Sequence, residues 1–347
     1  MRDERQAIEA ESEERARSIA HREGPLLILG APGTGKTELL ARRLAALVAA
    51  GTRPERILLI GSTRATASRL RERSEALLPG PYEELWVGSW DALGERILRE
   101  HAEAAGLDPF FDVLGPAERL AMMLDRLDRL PLRRHEIRGN PAGLLARLLS
   151  RIDRLKAERV GPTTLAEQAE ATGTGGDEAA REARQRELEF AELYTVHDRI
   201  LAESGSLDRG DVFLALECLL VERPDVRRRI AERFAYLMVD ELEEATLAQR
   251  AVVESLAGDN PNQVFALEEG EAEAWFRNLH PDGESVVLRE RFREPRLAFW
   301  RCGNERAQAQ ALAREVERLL AAGEQPEGIC AVVADAGGDG GTVAAAM

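Results

Sequence analysis

Two groups of residues in this chain have the types and spacing to do chemistry together. The first is Gly30-Ala31-Pro32-Gly33-Thr34-Gly35-Lys36-Thr37. It matches the phosphate-loop pattern G-x4-G-K-[ST] at every fixed position. Glycines at this spacing let backbone N–H groups turn inward around an anion. The lysine then reaches the β- and γ-phosphates of a nucleotide, and the threonine hydroxyl faces Mg²⁺ at the start of a helix whose dipole favours negative charge. The second group, about 200 residues downstream, is Tyr236-Leu237-Met238-Val239-Asp240-Glu241, an apolar run ending in two adjacent carboxylates. Beside a phosphate loop, Asp240 is expected to hold Mg²⁺, and Glu241 to orient and deprotonate the attacking water. In isolation such a pair caps helices just as well. It is the phosphate loop that favours the catalytic reading.

These residues need strands ending beside one another, with helices behind them. Leu26–Leu29 reads as a buried strand and Glu38–Ala50 as a helix ending near Gly51. Ile57–Ile60 is a second strand, followed by a helix through Leu78. Pro79-Gly80-Pro81 breaks the chain. Leu85–Val87 is a third strand and Trp90–Ala105 a helix. Residues 1–23 read as a charged helix. From about Asp108 to Ser206 strand signals vanish, and the stretch reads as helical with a Gly-rich break at Thr172–Asp177. Strands return at Tyr236–Val239 and Val264–Leu267. Strands alternating with helices on both sides of a helical insertion indicate an α/β domain with a parallel sheet. A last segment, from about Leu288, holds an expected helix at Ala307–Ala322, a strand at Ile329–Val333, a loop at Gly337–Gly341 and a helix beginning at Thr342.

Composition narrows the class. Hydrophobic residues make up 44% of the 347, enough for a packed core. No apolar run reaches the roughly 18 residues of a membrane span. The charged start, Met1-Arg2-Asp3-Glu4-Arg5, leads into no apolar signal region, so the expectation is a cytoplasmic protein away from membranes. Cys218, Cys302 and Cys330 sit in no CxxC or Cys/His cluster, which argues against zinc, an iron–sulfur cluster or a disulfide framework. The net charge of −15 does not point to nucleic acid, but a local basic surface suffices for binding. From Arg129 to Arg159 nine Arg or Lys stand against three Asp or Glu, a candidate phosphate-facing stripe, though charge alone favours a solvated helical face. Only two of the 47 basic residues are lysines, Lys36 and Lys156. A lysine in so arginine-rich a chain marks a site where arginine will not serve.

The wide separation of the two groups, with helices between, resembles superfamily 1 DNA helicases of the UvrD/Rep/PcrA type. Gly30–Thr37 resembles their motif I. Gly61-Ser62-Thr63-Arg64-Ala65-Thr66-Ala67, with Leu70 and Arg73, is similar to motif Ia, usually TFTNKAA. Val87-Gly88-Ser89-Trp90-Asp91-Ala92 is similar to motif Ib, usually close to GTFHS. Asp240-Glu241-Leu242-Glu243-Glu244 is similar to motif II, usually DEFQD. Trp275-Phe276-Arg277 resembles the end of motif III, and Leu288–Arg293 motif IV. The resemblance implies a RecA-like first ATPase domain (residues 1–107 and 206–287), a helical insertion (108–205) and part of a second RecA-like domain (288–347). It implies ATP and Mg²⁺ as cofactors and ATP-driven 3′-to-5′ movement on single-stranded or partly duplex DNA in repair or recombination, with a nuclease or helicase subunit as a candidate partner. Gly30, Gly33, Thr34, Gly35, Lys36 and Thr37 would hold the nucleotide, and Thr37 and Asp240 the metal. Glu241 would be the general base, Arg293 an internal arginine finger and Phe292 a stacking partner for adenine. Thr63, Arg64, Trp90, Trp275 and Phe276 would meet DNA, with core packing the competing expectation for the last two.

Departures from the pattern fall at its coupling residues. Glu243 replaces the usual glutamine of motif II and Glu244 its second aspartate. The glutamine expected in motif III falls near Glu271, and the one upstream of the phosphate loop near Glu14. Ser62 replaces a phenylalanine, and Asp91 a histidine. An ionised glutamate cannot donate to a phosphate oxygen as glutamine does. Motifs V and VI are absent, so the expectation is an incomplete motor. The competing expectation is a degenerate paralogue that binds ATP or DNA as an accessory subunit without moving.

Overall fold

A computed structural model describes residues 13–134, 139–171, 178–289, 298–333 and 339–346. The chain divides into two compact units, Met1–Arg291 and Phe292–Met347.

The first unit is built on a six-stranded sheet in the order β3-β2-β6-β7-β1-β8. The strands are β1 (Leu26–Gly30), β2 (Ile57–Gly61), β3 (Trp86–Ser89), β6 (Tyr236–Val239), β7 (Gln263–Leu267) and β8 (Glu284–Leu288). Every neighbouring pair is parallel. β1, β2 and β7 are buried along their whole length, so both faces must be largely apolar, and each reads as a near-continuous hydrophobic run, with Gln263 at the start of β7 the polar exception. Side chains alternate between the two faces. Leu27, Leu29, Leu58, Ile60, Leu237 and Val239 point into one core layer. Leu26, Ile28, Ile57, Leu59 and Met238 point into the other.

Helix α1 (described over 13–20) precedes β1. α2 (Lys36–Ala49) and α3 (Arg64–Leu77) contribute Leu39, Leu40, Leu44, Leu47 and Leu70 to the second layer. α4 (Trp90–Glu100) packs into the first layer. The strand at β8 goes beyond the sequence reading, which assigned no element there. Only Val286 and Leu288 of its five residues are buried, so as an edge strand it shows little apolar signal.

The insertion has its own core. It comprises α5 (Pro116–Leu124), α6 (Pro141–Ala157), α7 (Pro162–Ala171) and α8 (Glu178–Glu203). Leu145, Leu149, Ile152, Phe190 and Tyr194 meet at its centre. It is not purely helical. β4 (Asp112–Leu114) and β5 (Ser206–Asp208) form a short parallel pair where the chain leaves and re-enters the first layer. Three-residue strands are too short to show a periodic pattern. α9 (Arg209–Glu222), α10 (Pro224–Arg233), α11 (Leu247–Ala257) and α12 (Glu271–Leu279) complete the first unit.

Much of the arginine-rich stretch is neutralised internally. Arg129 pairs with Glu203, Arg151 with Glu187 and Arg159 with Glu217. Lys156 is buried. Its ammonium bonds Asp198 at 2.9 Å, Asp208 at 2.9 Å and Asp211 at 2.5 Å. Burial opposes its charge, and the three carboxylates, Asp211 foremost, more than restore it and hold its pKa above the ordinary range. Three acceptors around one nitrogen suit an ammonium and not a planar guanidinium.

In the second unit, α13 (Glu305–Ala321) is capped by Asn304, whose side chain accepts from Ala307 N at 2.8 Å, and α14 (Asp339–Ala346) packs on it. Of the loop expected at Gly337–Gly341, the described residues from Asp339 on are helical, and Gly337 and Gly338 lie outside the described residues. The strand expected at Ile329–Val333 does not form; these residues are irregular and mostly exposed. An apolar run becomes a strand only beside another, and none of the described residues of this unit forms one.

Candidate functional site: a phosphate loop beside two carboxylates

All six strands run parallel, so their C-terminal ends share one edge, the usual place for ligand-binding loops in open α/β sheets. β1 delivers the phosphate loop there. Gly33 and Gly35 take φ of 82° and 87°, a left-handed backbone that side chains disfavour. At Gly30 a Cβ would meet Thr34 Oγ1 at 2.5 Å. Thr34 is buried, and its hydroxyl donates to Ala31 O at 2.9 Å, closing the loop on itself. Lys36 opens α2. Its Nζ donates to the carbonyl oxygens of Gly30 and, at 3.4 Å, Ala31. The amino group thus lies over the loop's mouth, beside the free N–H groups of the first helical turn.

β6 delivers the carboxylates. Asp240 is fully buried, and its amide donates to Ile60 O at 2.8 Å, extending the sheet by one bond. Its Oδ2 accepts from Thr37 Oγ1 at 2.7 Å. Its Oδ1 is buried with no hydrogen-bond partner. Burial, reinforced by the neighbouring Glu241 charge, lifts the Asp240 pKa to about 6 against the pull of the Thr37 hydroxyl and Lys36. An unsatisfied buried carboxylate oxygen beside a hydroxyl is a hard-oxygen donor set that suits Mg²⁺, an ion that takes one or two protein ligands and fills its other positions with phosphate oxygens and water. Among the described residues no cluster of three or more His, Cys, Asp or Glu side chains could hold a metal. A single carboxylate with a hydroxyl fits a metal that arrives with a nucleotide.

Glu241 follows with φ 52°, one of two described non-glycine residues with positive φ. This turn sends its side chain away from Asp240, towards the end of β2. There Oε2 accepts from Ser62 Oγ and, at 3.1 Å, from Thr66 Oγ1. Glu243, where the motif usually has glutamine, is half-buried. Burial raises its pKa, Lys36 pulls it down and Glu268 pushes it up; its Oε2 has no hydrogen-bond partner.

The loop has a support that the sequence reading missed. Arg15 of α1 is buried and donates from Nη2 to Thr34 O at 2.7 Å. An arginine within a highly charged helix carries no signal of its own. Its neighbour Glu14, at the expected glutamine position, instead lies half-exposed beside Arg17, 4.0 Å away. At the rim, Arg73 grips Glu38 through bonds of 2.6 and 2.8 Å, tying α3 to α2. Arg73, joined by Arg42 and working against partial burial, holds Glu38 at a pKa of about 2.

The residues expected to meet DNA separate into two groups. Thr63 and Arg64 are exposed at the start of α3, where Thr63 Oγ1 caps the helix by accepting from Thr66 N at 3.1 Å. Arg64 lines a cavity with Asp91, Glu95 and Arg209. Asp91, in place of the usual histidine, faces Arg209 across 3.7 Å. Trp90 and Phe276 require correction. Trp90 is buried edge-on against Phe213, with ring centroids 6.4 Å apart. Phe276 is completely buried against Phe265 at 5.7 Å. Neither presents a face to a base, because each supplies the apolar bulk that seats its helix on the sheet. Trp275 is half-buried, edge-on to Phe265 at 5.6 Å, with Nε1 donating to Glu254. Phe292 and Arg293 lie outside the described residues.

The family model described as the UvrD/REP helicase N-terminal domain matches residues 11–267. An ATP-dependent DNA helicase PcrA of Leuconostoc citreum is 30% identical over 294 residues, covering 80% of this chain and 36% of that protein. A PcrA of Staphylococcus aureus is 24% identical over 295 residues, covering 81% of this chain and 37% of its own length. The chain thus spans little more than a third of the curated relatives it matches. The family model spans more than half of the chain, so the chain belongs to the UvrD/REP helicase N-terminal domain family.

Proposed function

We propose that the chain is the ATP-hydrolysing part of a DNA helicase or translocase. Residues 1–107 and 206–287 form its first RecA-like domain, 108–205 the inserted subdomain, and 288–347 the start of a second RecA-like domain. The observation that carries this is the 2.7 Å bond from Thr37 Oγ1 to Asp240 Oδ2, beside the unsatisfied Oδ1. It brings the phosphate loop and the acidic pair to one point.

In this reading the N–H groups of Gly33, Gly35 and Lys36 and the Lys36 ammonium bind the triphosphate of ATP. Thr37 and Asp240 hold Mg²⁺, which supplies positive charge to the phosphate oxygens when bound. Glu241 takes a proton from the attacking water. Arg293 and Phe292 keep their proposed contacts with the γ-phosphate and adenine. Thr63 and Arg64, exposed at the start of α3, contact the DNA backbone, and Trp275 is the remaining candidate for a base.

The relatives' names support ATP and DNA as the ligands. Repair or recombination and the cytoplasm are the proposed setting, and a nuclease or second helicase subunit the proposed partner. Among the described residues no helix is long and apolar enough to cross a membrane. The test is ATP hydrolysis by this chain with and without single-stranded DNA. Turnover that rises with DNA is the expected result; ATP neither bound nor hydrolysed would overturn the reading.

A further inference from the structure

Ser62 and Thr66 both donate to Glu241 Oε2, the second across 3.1 Å, and neither bond engages Oε1. The residues come from different elements. Ser62 follows β2, Thr66 lies in the first turn of α3, and Glu241 follows β6, the neighbour of β2 in the sheet. Thr66 is itself held. It is buried, its hydroxyl accepts from Thr63 Oγ1 at 3.1 Å, and its amide donates to the same Thr63 oxygen at 3.1 Å. In the motif that Gly61–Ala67 resembles, the positions of Ser62 and Thr66 carry phenylalanine and alanine, which have no hydroxyl to donate.

We propose that Ser62 and Thr66 are positioning residues for Glu241: their hydroxyls fix one carboxylate oxygen so that the other is held towards the water that attacks the nucleotide. The inference rests on Glu241 being the general base. A glutamate side chain has three rotatable bonds, and a proton acceptor must lie within hydrogen-bond reach of its donor. The positive φ of Glu241 sets where its side chain leaves the backbone, and two donors on Oε2 remove most of the remaining freedom. Orientation of this kind raises the rate without tightening binding. Through Thr63 the same chain of hydroxyls reaches the exposed start of α3.

The test compares the wild-type chain with Ser62→Ala/Thr66→Ala, Ser62→Thr/Thr66→Ser and Glu241→Gln. MgATP turnover is followed in steady state, and the Glu241 carboxyl signal is followed at neutral pH by carbon NMR of glutamate-labelled protein, with Glu241→Gln assigning the signal. The double alanine variant is expected to lose kcat at least about tenfold with KM within about twofold. Its Glu241 carboxyl signal is expected to move away from the wild-type position. The hydroxyl-keeping variant should restore all of these. A carboxyl signal and kcat unchanged by the alanines would overturn the inference, as would a kcat loss that the hydroxyl-keeping variant fails to restore. The carboxyl signal reads the hydroxyls' hold without needing turnover. Undiminished turnover in Glu241→Gln would instead overturn the general-base reading on which the inference rests, whatever the hydroxyl variants did.

Discussion

Thr37 Oγ1 donates to Asp240 Oδ2 across 2.7 Å, joining residues 203 positions apart in the chain. The bond links the first turn of α2 to the end of β6 at the shared edge of the sheet. Its carboxylate is out of place in energetic terms, since it is buried with one oxygen unsatisfied and a pKa of about 6 in place of 3.8.

Asp240→Asn should therefore stabilise the ligand-free chain while removing metal-dependent turnover. The folded protein retains a proton that the unfolded chain releases between pH 3.8 and about 6. The contribution of Asp240 to stability is thus full below the lower value and is lost as pH rises through the upper one. At neutral pH the asparagine should gain on the order of 1–3 kcal/mol, and near pH 4 much less. Denaturant melts at the two pH values check this. A variant less stable than wild type at neutral pH would contradict it.

Glu241→Gln should bind MgATP as wild type does and hydrolyse it at least about a hundredfold more slowly. Single-turnover phosphate release separates the two effects, and unchanged turnover would remove Glu241 from the proposed mechanism.

Lys156→Met should be among the most damaging substitutions away from the nucleotide. It would leave the nearly inaccessible Asp208 with Arg119 alone, 2.8 Å away, and Asp198 and Asp211 without the cation all three share. Removing one partner of a buried pair costs about 3–5 kcal/mol. Arginine should not rescue it: the Lys156 stem runs so close to Gly210 that a Cβ there would meet it at 2.6 Å, and a broader guanidinium has no room. Thermal melts of Lys156→Met and Lys156→Arg test both statements.

Arg15→Ala should weaken MgATP binding without touching a ligand. It removes the charged donor to Thr34 O inside the phosphate loop, and a buried hydrogen bond to a charged group contributes about 1.5–3 kcal/mol. Equal nucleotide affinity in the variant and the wild type would show that the loop keeps its shape unaided.

Phe276→Ala should cost about 3–5 kcal/mol in stability through the cavity it leaves. At temperatures where it stays folded, its affinity for single-stranded DNA should match wild type. A selective loss of DNA binding would mean that the Phe276 ring leaves the core to meet a base.

The sequence disclosed those parts of the fold whose physical cause is local. β1, β2 and β7 are near-continuous apolar runs because both faces are covered, and the loop glycines follow from backbone geometry. The Asp240-Glu241 pair could be paired with Lys36-Thr37 because the spacing of each motif is rigid. What stayed hidden depends on distant partners. Arg15 looks like any other arginine of a charged helix. Ser62 stood out only as a departure from a pattern and Thr66 not at all, with no sign that both meet Glu241. Trp90 and Phe276 show the converse. Aromatic residues at motif positions read as DNA contacts, and only packing against Phe213 and Phe265 reveals that their rings are used up in the core.

The central claim is that the phosphate loop and Asp240 together make a nucleotide site. Equilibrium titration of MgATP into the wild-type chain and into Lys36→Ala tests it most directly. Saturable binding by the wild type, with affinity lost in Lys36→Ala, is the predicted result. A Lys36→Ala variant that binds MgATP as tightly as the wild type would contradict the account at its foundation.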